Sequence, residues 1–354
     1  MSYILSNISA FRFYRVPPQV LALCPPIPDE DCDCQRLLLR QDLLVNHALG
    51  FPLHTLVSNR KERTNPALIE HHLWSGLLPS EAIWGTDHGV QVASPLFTLL
   101  TLAPYVSEVQ LAMMAYEMCG TFAVFRPSDL IEETLKDAYA SHQLPGDFGW
   151  KRSSNQKGEA TDLWRRSPLI QIDDLLDYAQ SNRSCRGGKK LFNAARRLSG
   201  VTASPFEVQA SMLFGLSRRL GGEGLSCFEN NYEIALDQKA KKIVNKDKVY
   251  ADLHFVSAEG DRSVIVECQG ATEHGKVDAG IRDADRATAL QSMGYDMILL
   301  TYEKMSDKDS FRTVAEMLAD KLGYPYRPKT DAMKAREDEL RRELLIDWAT
   351  LGEF

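Results

Sequence analysis

A chain of 354 residues, 44% of them hydrophobic, is long enough to bury a sizeable core and to form two domains or one large one. Its formal net charge of −7, with 25% charged residues, excludes generic nucleic-acid binding by the whole molecule but leaves room for a local basic surface. No run approaches the ~20 apolar residues of a membrane helix, and the N-terminus has no basic segment ahead of its apolar residues. The seven cysteines lack the regular spacing of a disulfide framework. The chain is therefore expected to be cytoplasmic, with no membrane segment.

Cys24, Cys32 and Cys34 cluster near the N-terminus. No second ligand pair follows at fixed spacing, so they read as unpaired thiols and not as a zinc knuckle. FPLHTLVSN (51–59) reads as a short strand. His71 and His72 have no companion at metal spacing and read as surface residues. VQVASP (90–95) ends another strand and hands over to a helix, because Ser94 suits the N-cap and Pro95 the first helical position. VSEVQLAMMAYEMCG (106–120) continues as an amphipathic helix. Residues 1–143 thus read as an α+β domain. Residues 144–182 contain GDFGWKRSSNQKGEATD, rich in Gly, Ser and charge, and read as a linker or irregular segment. NRSCRGGKKLFNAARRL (182–198) carries Arg183, Arg186, Lys189, Lys190, Arg196 and Arg197 and no acid. Such a run is most often a solvated face; its place just ahead of the elements below also suits phosphate contact.

A second Ser-Pro signal, Ser204-Pro205, opens a helix over 204–220 that stops at Gly221-Gly222. FENNYEIALD (228–237), VYADLHFV (249–256) and SVIVECQG (263–270) read as strands, the last two joined by the turn-like AEGD. A helix over 277–293 ends at Gly294, and DMILLTYE (296–303) is a fourth strand. The order is α-β-β-β-α-β, which places a second domain over 183–325. Residues 326–354 contain DAMKAREDELRRELLIDWATLGEF, which reads as a charged amphipathic helix and a candidate surface for a second copy or a partner protein.

The chemistry lies on the third of these strands. Glu267 and Gln269, two positions apart, project from one face, and Cys268 projects from the other. A hairpin with a short connection brings Asp252 of the preceding strand level with Glu267. The resulting all-oxygen site suits Mg²⁺ or Mn²⁺. Two close carboxylates without a cation repel and raise one pKa; a divalent ion relieves that cost and can activate water against a phosphate. Blander readings stand beside this one. Asp252 alone is an exposed residue on a half-buried strand, and Glu267 is the partner of a salt bridge to Arg282 or Arg286. Glu207 completes a capping box, reaching back to the Ser204 N–H.

SPFE, ADLHF, VIVECQG, His274, DADRATALQSMGY and MILLTYEKM, taken in order over 204–305, resemble the PD-(D/E)XK nuclease superfamily. More narrowly, they resemble its branch of very-short-patch-repair-like endonuclease domains. The resemblance implies a restriction-endonuclease-like α/β core and metal-dependent hydrolysis of DNA phosphodiester bonds by activated water, in defence or repair. It implies Asp252 and Glu267 as ligands of Mg²⁺ or Mn²⁺, and Glu207 as a third acidic contributor. His274 would act on the leaving group or contact phosphate. Gln269 stands where the family often has Lys; it cannot carry charge or act as a base, and orients water or phosphate by hydrogen bonds. The alternative is an inactive nuclease fold serving as a DNA-binding antitoxin or transcriptional regulator. FPLHTLVSNRKER and GVQVASPLFTLLTLAPYVSEVQLAMMAYE are similar, more faintly, to the AbiEi family of antitoxins and regulators.

Overall fold

The computed structural model describes residues 4–27, 44–59, 61, 67–142, 144, 148–155, 157–270 and 277–353, with the backbone alone over 277–283. The chain is mixed α/β, with its strands in three sheets. In the first, β1 (Ile4–Leu5), β2 (Leu53–Val57), β3 (Ile69–Leu73), β4 (Ile83–Gly85) and β5 (Gln91–Ala93) lie in the order β3-β2-β1-β5-β4. The β2–β3 and β1–β5 pairs are parallel and the others antiparallel. α1 (Asn7–Arg15), α2 (Pro18–Leu21), α3 (Pro95–Leu102) and α4 (Glu108–Cys119) accompany it. Ser94 caps α3 through the Phe97 N–H, with Pro95 at its start. The segment expected to be amphipathic, α4, is enclosed on all sides: every residue from Leu111 to Cys119 is buried, Glu117 included.

The expected linker over 144–182 is largely ordered structure. β6 (Phe122–Val124) leads to α5 (Asp129–Ala140), and then β7 (Lys151–Ser154) and β8 (Ala160–Arg165) complete an antiparallel sheet of order β6-β8-β7. Asn155 Oδ1 organises the turn of this hairpin by accepting from the N–H groups of Lys157 (2.9 Å) and Glu159 (3.0 Å). Among the described residues of the hairpin only Leu163 and Trp164 are buried, so its sequence carries almost no hydrophobic alternation. α6 (Ile172–Ser181) and α7 (Gly188–Ala195) follow.

The last sheet is built from β9 (Phe228–Ala235), β10 (Lys248–Val256), β11 (Ser263–Gln269) and β12 (Asp296–Thr301), in the order β12-β11-β10-β9. Only the β11–β12 pair is parallel. α8 (Pro205–Gly215) precedes the sheet and α10 (Val277–Ser292) forms the crossover to β12. The first helix is shorter than its sequence suggests. It ends at Gly215 and gives way to a 3-10 turn, Arg218–Leu220, closed by Gly221 at φ +95°, where a Cβ would run into the Arg336 carbonyl. An unanticipated helix, α9 (Gln238–Val244), joins β9 to β10; Asp237 caps it and Asn245, at φ +54°, ends it. α11 (Tyr302–Ser306) takes up residues expected to extend β12, followed by α12 (Lys308–Lys321) and α13 (Asp331–Leu344).

One large apolar cluster runs through both halves of the chain, from Leu5 and Phe11 to Phe214, Phe255, Leu344 and Leu351. Phe214 of α8 meets Phe255 edge-on at 5.6 Å and lies 4.7 Å from Phe311 of α12, so this face of the last sheet is covered by α8 and α12. Burying each such ring contributes roughly 1.5–3 kcal/mol. A smaller cluster covers the opposite face, with Ile234, Val249, Ala251 and Ile265 against Ala240 of α9 and Ala289 and Leu290 of α10. α13 is not a free terminal helix. Leu340 and Leu344 are in the large core, and Lys329 bridges Glu223 (2.8 Å) and Glu337 (2.9 Å), all buried. Its apolar side is thus occupied within the chain, leaving its charged side outward. No helix of the described residues is long and apolar enough to cross a membrane.

Candidate functional site

The β10–β11 ladder pairs Leu253 with Val266, and the same register carried one step sets Asp252 opposite Glu267. The Cys268 N–H donates to Asp252 Oδ2 at 2.7 Å, so this carboxylate lies against the β11 backbone between Glu267 and Gln269. On its other side, the β9–β10 ladder pairs Ala251 with Tyr232 and Leu253 with Asn230, and it skips Asp252 and Asn231. Asn231 has φ +52°, a left-handed conformation that Asn tolerates better than most residues.

That interruption turns the strand over. Odd-numbered positions of a regular strand share one face. Here Leu253 and Phe255 join the large core, whereas Val249 and Ala251 join the cluster on the opposite face. Asp252 is the pivot. Asn230 holds it in place: its Nδ2 donates to the Asp252 carbonyl (3.1 Å) and to Ser211 Oγ (2.7 Å), and Ser211 Oγ donates to the Glu207 carbonyl (2.6 Å).

Glu207 is buried at the start of α8. The expected capping box forms with a shift. Ser204 Oγ accepts from the Glu207 N–H (3.2 Å), but the Glu207 carboxylate takes the Ala203 N–H (2.7 Å) and the Ser204 hydroxyl (2.8 Å), reaching one residue beyond the Ser204 N–H. Glu267, 9% exposed, is paired with Arg286 of α10, Nη2 to Oε1, at 2.9 Å. The same guanidinium donates to the Tyr250 carbonyl. Gln269 closes β11 in register with Thr301. His274 and the side chain of Arg282 lie outside the described residues.

Cys268 gathers these groups. Burial pushes its thiol well above the ordinary range, and Asp252, Glu207 and Glu267 push it further. The carboxylates of Asp252 and Glu267 stand on adjacent strands, and Glu207 is linked to Asp252 through Ser211 and Asn230. They are set more widely than a closed metal cage. Among the described residues, the one group of three His, Cys, Asp or Glu side chains whose ligand atoms lie within 4.8 Å of one another is His54, Glu70 and His72. A thiol held protonated is a poor nucleophile. At pH 8 a soluble disulfide reagent is expected to modify exposed Cys227 readily and half-buried Cys268 much more slowly. Peptide mass mapping checks this.

The basic run divides in two. Lys190 Nζ donates to the Val106 carbonyl (2.7 Å) and Arg197 pairs with Glu108, so both fasten α7 to the start of α4. Both are half-buried, and each spends a donor within the chain. Arg183, Arg186, Lys189 and Arg196 are exposed. Arg183 and Arg196 lie over the Phe192 ring at 4.8 and 5.7 Å, and Arg186 lies over Tyr105 at 5.5 Å.

His71 and His72 are buried, contrary to their expected surface position. The companion of His72 is His54, on the neighbouring parallel strand, which spacing within one segment cannot reveal. The usable signal is Glu70-x-His72, an i, i+2 pair on a strand face. Burial holds His54 below the usual imidazole range. Cys24 is buried, while Cys32 and Cys34 lie outside the described residues. A cleft of about 490 Å³ opens elsewhere, near Arg12, Arg15, Arg126 and Glu353; its arginines are engaged by the Leu49 carbonyl, Glu117, Asp162 and Asp347. No protein-family model, curated protein or solved structure matches this chain.

Proposed function

We propose that the unit from α8 to β12 is a metal-dependent DNA endonuclease of the PD-(D/E)XK type, acting in defence or repair. The observation that carries this reading is the register that sets Asp252 level with Glu267, with the Asp252 carboxylate on the Cys268 N–H, at the point where β10 turns over. The element order, which is the expected α-β-β-β-α-β with α9 inserted between β9 and β10, and the sheet order β12-β11-β10-β9 support it. The donor set is all oxygen and suits Mg²⁺ or Mn²⁺, with Asp252 and Glu267 as the holding residues. A bound ion would supply charge stabilisation at a phosphate and a lowered water pKa. Gln269 orients water or a phosphate oxygen through its amide. Glu207 helps fix the site's negative potential. His274 follows β11 in sequence and is assigned phosphate or leaving-group contact by the resemblance alone. Arg183, Arg186, Lys189 and Arg196 form the exposed basic face that positions the DNA backbone.

A specific observation favours a second reading. Arg286 already neutralises Glu267 at 2.9 Å, and Gln269 replaces a charged residue. A fold stabilised in that way without a cation would bind DNA as an antitoxin or regulator and cleave nothing. The test is cleavage of supercoiled and linear DNA with Mg²⁺ and with Mn²⁺, by the native chain and by Glu267→Ala. Cutting by the native chain alone is the expected result. No cutting, with no heat of Mn²⁺ binding by calorimetry and retained DNA binding, would establish the regulator.

A further inference from the structure

The edge of the first sheet gathers a second donor set, on elements separate from the three carboxylates. β2 and β3 run parallel in the register His54↔Glu70 and Leu56↔His72, so His54, Glu70 and His72 rise from one face of adjacent strands. Neighbouring strands stand ~4.8 Å apart, close enough for imidazole and carboxylate tips to meet. His54 Nδ1 and His72 Nε2 are 2.8 Å apart, and Glu70 Oε1 is 3.7 Å from His72 Nε2. The two imidazoles are nearly parallel, with an interplanar angle of 11° and centroids 5.1 Å apart.

Donors bound at ~2.0–2.2 Å around a tetrahedral ion stand roughly 3.3 Å from one another. The two separations that involve His72 bracket that value, and all three ligand atoms lie within 4.8 Å of one another. His72 is also aimed. Its Nδ1 lies 3.2 Å from the Tyr105 hydroxyl, the kind of outer partner that orients a ligating imidazole and leaves Nε2 facing the donor set. His72 is buried, His54 half-buried and Glu70 exposed, so the donor set is anchored on one side and faces water on the other. Two imidazoles and a single carboxylate are softer than the ligand sets of Mg²⁺ or Ca²⁺.

The geometry points to a three-ligand Zn²⁺ site formed by His54, Glu70 and His72, with its fourth coordination position open to solvent. Three protein ligands and one open position form the arrangement of a zinc that engages an outside ligand, and not of a closed structural knuckle.

The test is Zn²⁺ titration of the chelator-stripped full chain by calorimetry, with Co²⁺ substitution as a spectroscopic readout. One equivalent of Zn²⁺ is expected, with the visible absorption of tetrahedral Co²⁺ and no thiolate charge-transfer band. His54→Gln should abolish binding. Glu70→Gln, a change at an exposed position, should weaken it without altering the circular dichroism. Tyr105→Phe should weaken it about tenfold, the usual effect of losing an outer partner. No uptake of Zn²⁺ would overturn the proposal. So would uptake unchanged by Glu70→Gln and Tyr105→Phe, or a thiolate signature pointing to Cys227. Glu267→Ala should leave this binding intact, so the result does not depend on the nuclease reading.

Discussion

Glu117→Ala is expected to lower stability by about 3–5 kcal/mol, the cost of breaking a buried ion pair from one side. Glu117 is 1% exposed in the middle of α4, where a carboxylate persists only if fully partnered. Its Oε1 accepts from Arg15 Nε (2.8 Å) and the Val124 N–H (3.0 Å), and its Oε2 accepts from Arg15 Nη2 (3.1 Å) and Trp348 Nε1 (2.5 Å). Arg15, 5% exposed, donates in turn to the Trp348 carbonyl at 2.8 Å. One carboxylate thus joins α1, α4, β6 and the C-terminal 3-10 turn Trp348–Thr350. Alanine leaves a buried guanidinium without a counterion, and the Val124 and Trp348 donors without an acceptor. Against a typical total of 5–15 kcal/mol, that is a large fraction. Urea unfolding followed by tryptophan fluorescence measures it. The double change Arg15→Met with Glu117→Met should cost less than Glu117→Ala alone, because no lone buried charge remains. If Glu117→Ala costs under ~1 kcal/mol, the network is not what ties the chain ends together.

The C-terminal sheet was legible because its sequence obeys local rules. FENNYEIA, VYADLHFV and SVIVECQ alternate or run apolar between turn residues, and Ser204-Pro205 is an unambiguous helix start. The observed strands at 228–235, 248–256 and 263–269 differ from the expected ones by a residue or two. β12 ends early because Thr301 caps α11 through the Lys304 N–H. The β7–β8 hairpin was not legible, because two buried residues give no period to detect. α9 was hidden by its seven-residue length, though Asp237 is a good N-cap.

The site was partly legible for the same reason. Asp252 and Glu267 share a hairpin, so counting positions suffices to set them level. That β10 turns over at Asp252 depends on a left-handed Asn231 across the ladder, which no count along one strand contains. The engagement of Lys190 and Arg197 by α4 was invisible because their partners lie more than 80 positions away. His54 and His72 were missed for a related reason. Parallel strands bring together residues that are separated by a connection, whereas hairpins bring together neighbours.

Asp252→Asn is expected to abolish DNA cleavage while leaving the fold intact, and its effect on stability discriminates between a ligand and a structural acceptor. The carboxylate accepts the Cys268 N–H at 2.7 Å. An amide oxygen can still take that bond, so the loss on exchanging a charged acceptor for a neutral one should be about 1 kcal/mol. Asp252→Ala removes the acceptor entirely and should cost about 1–3 kcal/mol. Cleavage should fall at least ~10²-fold in both, the scale of losing one preorganised electrostatic group. If Asp252→Asn cleaves as the native chain does, the carboxylate serves only to pin β10 to β11. The second readout is the effect of Mn²⁺ on thermal unfolding. Without a cation, neighbouring carboxylates such as Asp252 and Glu267 disfavour each other's charge, and removing one charge relieves that cost. With a cation held between them, the same removal discards a ligand. The native chain should therefore gain stability from Mn²⁺ and Asp252→Asn should gain none, with the variant closest to the native chain in metal-free buffer. A native chain indifferent to Mn²⁺ would mean that Arg286 alone balances this cluster, and that the acids hold the strand pivot together and not an ion.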